Sequence, residues 1–153
     1  MNIFSTYQEL FSLLNTIIMV NPKDLRIGNK LAFIREGLAT DFVTVCEISA
    51  STYWVEIDDR AQSKLEGGSD PIPLNQDILG RCGFNIVNQV GDDQGYYNEN
   101  LLAGLYSAGD GYTLITEEGL DLTAKAHIKY LHQLQNLYAS LTANELEVNL
   151  KFE

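Results

Sequence analysis

Apolar and polar positions change their spacing several times along this chain, and each change predicts an element. Over residues 3–18 the spacing is helical. Ile3, Phe4, Tyr7, Leu10, Phe11, Leu13, Leu14, Ile17 and Ile18 fall on one side, and Ser5, Thr6, Gln8, Glu9, Ser12, Asn15 and Thr16 on the other. Such a stripe must be covered, by the chain's own core or by a second copy. Its polar side offers one Glu and no Lys or Arg, so it is poorly suited to a membrane surface. After Asn21-Pro22 the period falls to two. Residues 25–33 alternate about Gly28, which marks a bulge or bend. Residues 42–48 and 52–57 read as two further strands with a short Ser/Ala connection. Three consecutive short antiparallel strands predict a small SH3-like barrel or curled meander.

Residues 58–70 are polar and contain Gly67-Gly68, the signature of a mobile loop at a lobe boundary. Beyond Pro71-Ile72-Pro73-Leu74 a short helix is predicted. Asn75 caps it, Gln76 and Asp77 occupy its first turn, Ile78, Leu79 and Cys82 lie on its inner side, and Gly83 ends it. Residues 84–90 read as a strand and 91–95 as a turn. Residues 96–106 and 112–116 read as a hairpin closed by Ser107-Ala108-Gly109-Asp110-Gly111, with residues 122–128 as one more strand.

A helix is predicted over 129–141, with Leu131, Leu134, Tyr138 and Leu141 on its apolar stripe and Tyr130 and Leu137 at the margins. Its other face is unusual. Between Tyr130 and Asn144 there is no charged residue, although half the positions are polar. A face of His132, Gln133, Asn136 and Ser140 suits contacts that need hydrogen bonds without desolvating charge, either with a partner or with neighbouring backbone. Leu146, Val148, Leu150 and Phe152 alternate strictly and predict a final half-buried strand. The expected fold is therefore α+β: an N-terminal helix (1–20), an SH3-like strand lobe (21–60), a loop (61–70), and an α+β lobe (71–153) with a hairpin, a C-terminal helix and a final strand.

Composition narrows the function. The chain has 153 residues and a net charge of −11, with −4 on residues 1–70 and −7 on the rest. So few bases disfavour direct nucleic-acid binding and anionic membranes. Its acids are spread out, with only Asp58-Asp59, Asp92-Asp93 and Glu117-Glu118 adjacent. Cys46 and Cys82 show no CxxC spacing and read as buried thiols of a reducing compartment. With no apolar run of eighteen residues and no basic start before an apolar stretch, the chain is expected in the cytoplasm.

No motif for chemistry emerges. His127 and His132 are five apart, whereas two metal ligands on one helix want i,i+4 spacing, and no third ligand stands in register. Neither cysteine has a nucleophile's surroundings, no glycine-rich loop leads into a helix with a cation, and no calcium-loop pattern occurs. No metal or cofactor is expected. Tyr53, Trp54, Tyr96, Tyr97, Tyr106 and Tyr112 enrich the middle of the chain, as sheet-face packing or as a protein-binding surface.

Leu25-Arg26-Ile27-Gly28-Asn29, Pro71-Ile72-Pro73-Leu74, Cys82-Gly83-Phe84 and His132-Gln133-Leu134-Gln135-Asn136-Leu137-Tyr138, with Leu141-Thr142 and Glu145-Leu146, occur in that order. This series resembles a small uncharacterised protein family of bacterial genomes and their phages or other mobile elements, over about residues 20–148. The resemblance implies an accessory gene product and carries no activity, cofactor or catalytic residue. Members begin a few residues before the first motif, and Met19 stands six residues ahead of Leu25, so the regular helix at 3–18 falls outside it.

The sequence is thus expected to encode a non-catalytic protein-interaction or assembly module, self-associating or docking a protein partner. Its expected surface is His132, Gln133, Asn136 and Ser140, with Tyr53 and Trp54. One alternative is an acidic inhibitor or decoy of a nucleic-acid-acting enzyme. Another is a small hydrolase or ligand binder around His127 and His132.

Overall fold

Two changes of hydrophobic period become two antiparallel sheets. The computed structural model describes residues 20–33, 41–57, 64–90, 93–123 and 127–151, so the helix expected at 3–18 and Phe152 lie outside the described residues. The chain divides into two compact units, residues 1–72 and 73–153. Asp70 is hydrogen-bonded within the first and Leu74 within the second, leaving three residues between these anchors.

In the first unit a 3-10 turn, Pro22–Asp24, is capped by Asn21, whose side-chain oxygen accepts the Lys23 N–H at 3.0 Å. Residues 25–29 were expected to open a strand and instead form a turn. The Asn29 side-chain oxygen accepts the Arg26 N–H at 2.7 Å, and the Asn29 N–H returns to the Arg26 carbonyl at 3.1 Å. The strands are β1 (Lys30–Phe33), β2 (Asp41–Ile48), β3 (Tyr53–Ile57) and β4 (Lys64–Glu66), in the order β1-β2-β3-β4. β4 occupies part of the stretch expected to be loop, because Lys64 to Glu66 pair with Glu56 to Trp54. Alternation works as predicted in β3, where Tyr53, Val55 and Ile57 are buried and Glu56 is exposed. A register shift between Val45 and Glu47 places a bulge at Cys46 in β2. Val20, Leu25, Leu31, Val43 and Val45 complete this core with the three β3 residues.

In the second unit the predicted short helix, α1, runs Gln76–Arg81. Asn75 accepts the Ile78 N–H at 2.9 Å, Ile78 and Leu79 are buried, and Cys82 follows, also buried. The second sheet is β5 (Asn85–Val90), β6 (Asp93–Tyr97), β7 (Ala103–Ala108) and β8 (Gly111–Thr116), in that order and antiparallel. Residues 96–106, expected as one arm of a hairpin, are divided by a turn. The Leu101 N–H bonds the Asn98 carbonyl at 3.0 Å, and the Asn98 side chain accepts the Asn100 N–H at 2.9 Å. The β7–β8 turn is two residues, Gly109 and Asp110, with φ of 57° at Gly109.

Of the strand expected over 122–128, residues 124–126 lie outside the described residues, and the described ones form only isolated contacts. Ile115 bridges Asp121 and Tyr112 bridges Ile128, the latter with both hydrogen bonds at 2.8 Å. The following residues bond the other way, Leu74 N–H to the Lys129 carbonyl at 2.9 Å, and lead into α2, Leu131–Thr142. The final strand is also absent among the described residues. Residues 145–151 join no sheet, although Leu146 and Leu150 are buried as the alternation required. They are held instead by Arg81, whose carbonyl accepts the Asn149 N–H at 3.0 Å and whose guanidinium donates to the Asn149 and Lys151 carbonyls. The fold is mixed α+β, with two open four-stranded antiparallel sheets and, among the described residues, two α-helices. None of the described helices is long and apolar enough to cross a membrane.

Candidate interaction surface

The polar face of α2 is turned largely to the protein's own needs. His132 is 4% exposed and stacks on Tyr130, with ring centroids 5.9 Å apart and planes 9° from parallel. Gln135 is buried too. Gln133 caps the helix: its Oε1 accepts the Lys129 N–H at 2.8 Å and the Tyr130 N–H at 3.1 Å. The Ser140 hydroxyl donates back to the Asn136 carbonyl at 2.8 Å. Leu141, expected on the buried stripe, is 45% exposed, because burial tracks Leu131, His132, Leu134, Gln135 and Tyr138 instead. Of the four expected contact residues on this helix, Ser140 is exposed, Gln133 and Asn136 are half-buried, and His132 is inaccessible.

Tyr53 and Trp54 belong to the first unit. Tyr53 is buried, and its hydroxyl lies 3.3 Å from both the N–H and the carbonyl of Ser69, accepting from one and donating to the other. Burial raises its phenol pKa. Trp54 is half-buried beneath the Lys64 ammonium, 5.6 Å from the ring centroid, and Lys64 also pairs with Glu47. Of the six expected residues, His132 and Tyr53 are thus buried.

The histidines have different surroundings. His127 Nδ1 lies 3.7 Å from the Asp110 carboxylate at the β7–β8 turn, where Lys129 also binds at 2.7 Å. Lys129 holds the Asp110 carboxyl below its usual range, and Asp110 raises the Lys129 ammonium in return. Among the described residues no group of three or more His, Cys, Asp or Glu is arranged to hold a metal ion. Both cysteines are free thiols. Burial pushes Cys82 up to about 12, and burial, then the nearby Glu56, raises Cys46, whose S–H points to the Trp54 carbonyl at 3.4 Å. Neither thiol is poised as a nucleophile.

A concave surface of about 1370 Å³ in the second unit collects Asn85, Asn98, Asn100, Asn144 and Asn149. Much of their hydrogen bonding goes to the walls. Asn98 donates to the Cys82 carbonyl at 3.3 Å, Asn144 to the Thr142 carbonyl at 3.0 Å, and Asn149 accepts the Lys151 N–H at 3.3 Å. The cleft is built from its own turns and tail.

Sheet edges distinguish themselves more sharply. An unpaired edge offers a row of backbone N–H and C=O groups, which proteins blunt by shortness, charge, proline or covering chain. β1 is covered at Ala32 by reciprocal bonds with Asp70, at 2.9 and 2.7 Å. β4 is three residues long and carries exposed Lys64 and Glu66. β8 is bridged at Tyr112 and Ile115, and the Leu122 N–H bonds the Leu114 carbonyl at 2.8 Å. β5 has none of these devices except a bulge. Its sequence, Asn-Ile-Val-Asn-Gln-Val, holds no charge and no proline, and no strand or bridge lies on its outer side among the described residues. Ile86 opposes Tyr96 and Asn88 opposes Gly95, which leaves Val87 as the bulged residue. Ile86 is 47% and Val87 54% exposed. Sequence reasoning found this strand but not its edge position, which only the strand order reveals. The chain matches no protein-family model, no curated protein and no solved structure with which it was compared.

Proposed function

We propose that this chain is a non-catalytic protein-interaction or assembly module that adds an extended segment of a partner along the outer edge of β5. The observation that carries the reading is that, of the four sheet edges among the described residues, β5 is six residues long, uncharged, exposes Ile86 and Val87, and has no covering bridge, while the others are short or bridged. Strand addition draws affinity from main-chain hydrogen bonds and specificity from the side chains beside them, here the exposed Ile86 and Val87. The same reading takes the first sheet as a small SH3-like roll, supported by its four-strand meander and by the return of Asp70 to β1. It places the protein in the cytoplasm, as an accessory product of mobile-element origin.

Nuclease-treated lysate of the source cells, passed over the wild-type chain and over a Val87→Lys bait, tests the reading. Val87 is exposed, so the substitution should leave stability within about 0.5 kcal/mol. A discrete protein retained by the wild type and lost from the variant is the expected result. Identical captures by both baits would remove β5 from the interaction.

A further inference from the structure

The partner that β5 fits best is set by charge and by symmetry. Two copies of this chain each carry a net charge of −11, so close approach is repulsive over most surfaces. An antiparallel pairing of β5 with itself places this strand opposite its own copy about a two-fold axis. In every register of that pairing the facing strand residues are Asn, Ile, Val or Gln, so no two like charges meet. With all six residues paired, the exposed Ile86 stands opposite Gln89 and the exposed Val87 opposite Asn88 of the other copy. β4, the other edge without a covering bridge in its strand, would set Lys64 and Glu66 into the contact and is only three residues long.

We propose, resting on the reading of β5 as a strand-addition edge, that the chain forms an isologous dimer through antiparallel β5–β5 pairing. The contact is small. Six residues extend about 20 Å, and a single strand pair falls well short of the roughly 1,200 Å² typical of stable interfaces. The bulge at Val87 shortens the regular run further. The dimer should therefore be weak and concentration-dependent, visible at hundreds of micromolar rather than at nanomolar protein.

Sedimentation equilibrium of the full chain over that range tests the proposal, together with amide hydrogen exchange at low and high concentration. The expected result is a reversible dimer in which β5 amides gain protection as concentration rises. Val87→Lys should weaken it at least tenfold, even though it reduces the net negative charge. Leu102→Lys, placed at the most exposed large apolar residue among those described (77%) and off this strand, should leave it unchanged. A dimer indifferent to Val87→Lys, with no added protection in β5, would overturn the proposal. So would a chain that remains monomeric throughout. In the monomeric case the lysate comparison separates the two readings: a partner lost with Val87→Lys keeps strand addition and removes only self-pairing, while no such partner ends both.

Discussion

Ala143 closes α2 in the left-handed region at φ 58°, where a Cβ crowds the following carbonyl and glycine sits without penalty. Ala143→Gly should therefore stabilise the protein by about 0.5–1 kcal/mol in denaturant unfolding, the relief of strain exceeding the entropy glycine adds to the unfolded chain. A destabilised variant would mean that the strain is not felt. Asp70 makes a second test. Burial raises its carboxyl above the ordinary 3.8, so the folded state binds that proton more tightly than the unfolded one. Its contribution to stability is full below the ordinary value and is lost as pH rises through the raised one. Asp70→Asn should accordingly melt at a higher temperature than the parent at neutral pH, with the gap closing below pH 3.8; a constant gap across pH would point to packing instead. These residue-level properties were not legible beforehand. Neither an alanine's φ nor a carboxylate's burial is written in residue type.

At the scale of elements, α1 came through with its cap, inner residues and end as predicted, because all of its determinants are local: Asn75, the Ile78-Leu79 pair and Gly83. In α2 the uncharged polar face was visible, but its purpose was not. Gln133 is spent on the first turn, so Gln133→Ala should cost about 1 kcal/mol in unfolding free energy. A Gln133 that served only an outside partner would cost nothing in the isolated chain. The β6–β7 pair holds a comparable close fit. Tyr106 faces Gly95 across the strands, and a Cβ at Gly95 would stand 2.9 Å from the Tyr106 ring. Gly95→Ala should lower the melting temperature unless the half-exposed ring swings aside, which aromatic resonances in NMR spectra would report. The strict alternation at 146–152 misled because period two records which side is apolar, not whether a neighbouring strand exists. Arg81 takes the place of that neighbour.

For the molecule as a whole, the net charge of −11 sets the medium in which any association occurs. If β5 pairs with itself, added salt screens the repulsion between copies and should tighten the dimer, the opposite of the salt weakening expected for an acidic decoy gripping a basic enzyme. Sedimentation at low and high salt reads the sign directly. Residue order alone determined the α+β class, the strands of the first core, the capped α1 and the position of α2, since period, caps and turn residues act over a few positions. Tertiary structure alone decided which of the described strands are edges, which polar side chains of α2 are enclosed, and that residues 145–151 join no sheet. Those outcomes depend on contacts between segments far apart in the chain. Asp70 returns to β1, Ile128 to Tyr112 and Asn149 to Arg81, and no local pattern encodes such partners.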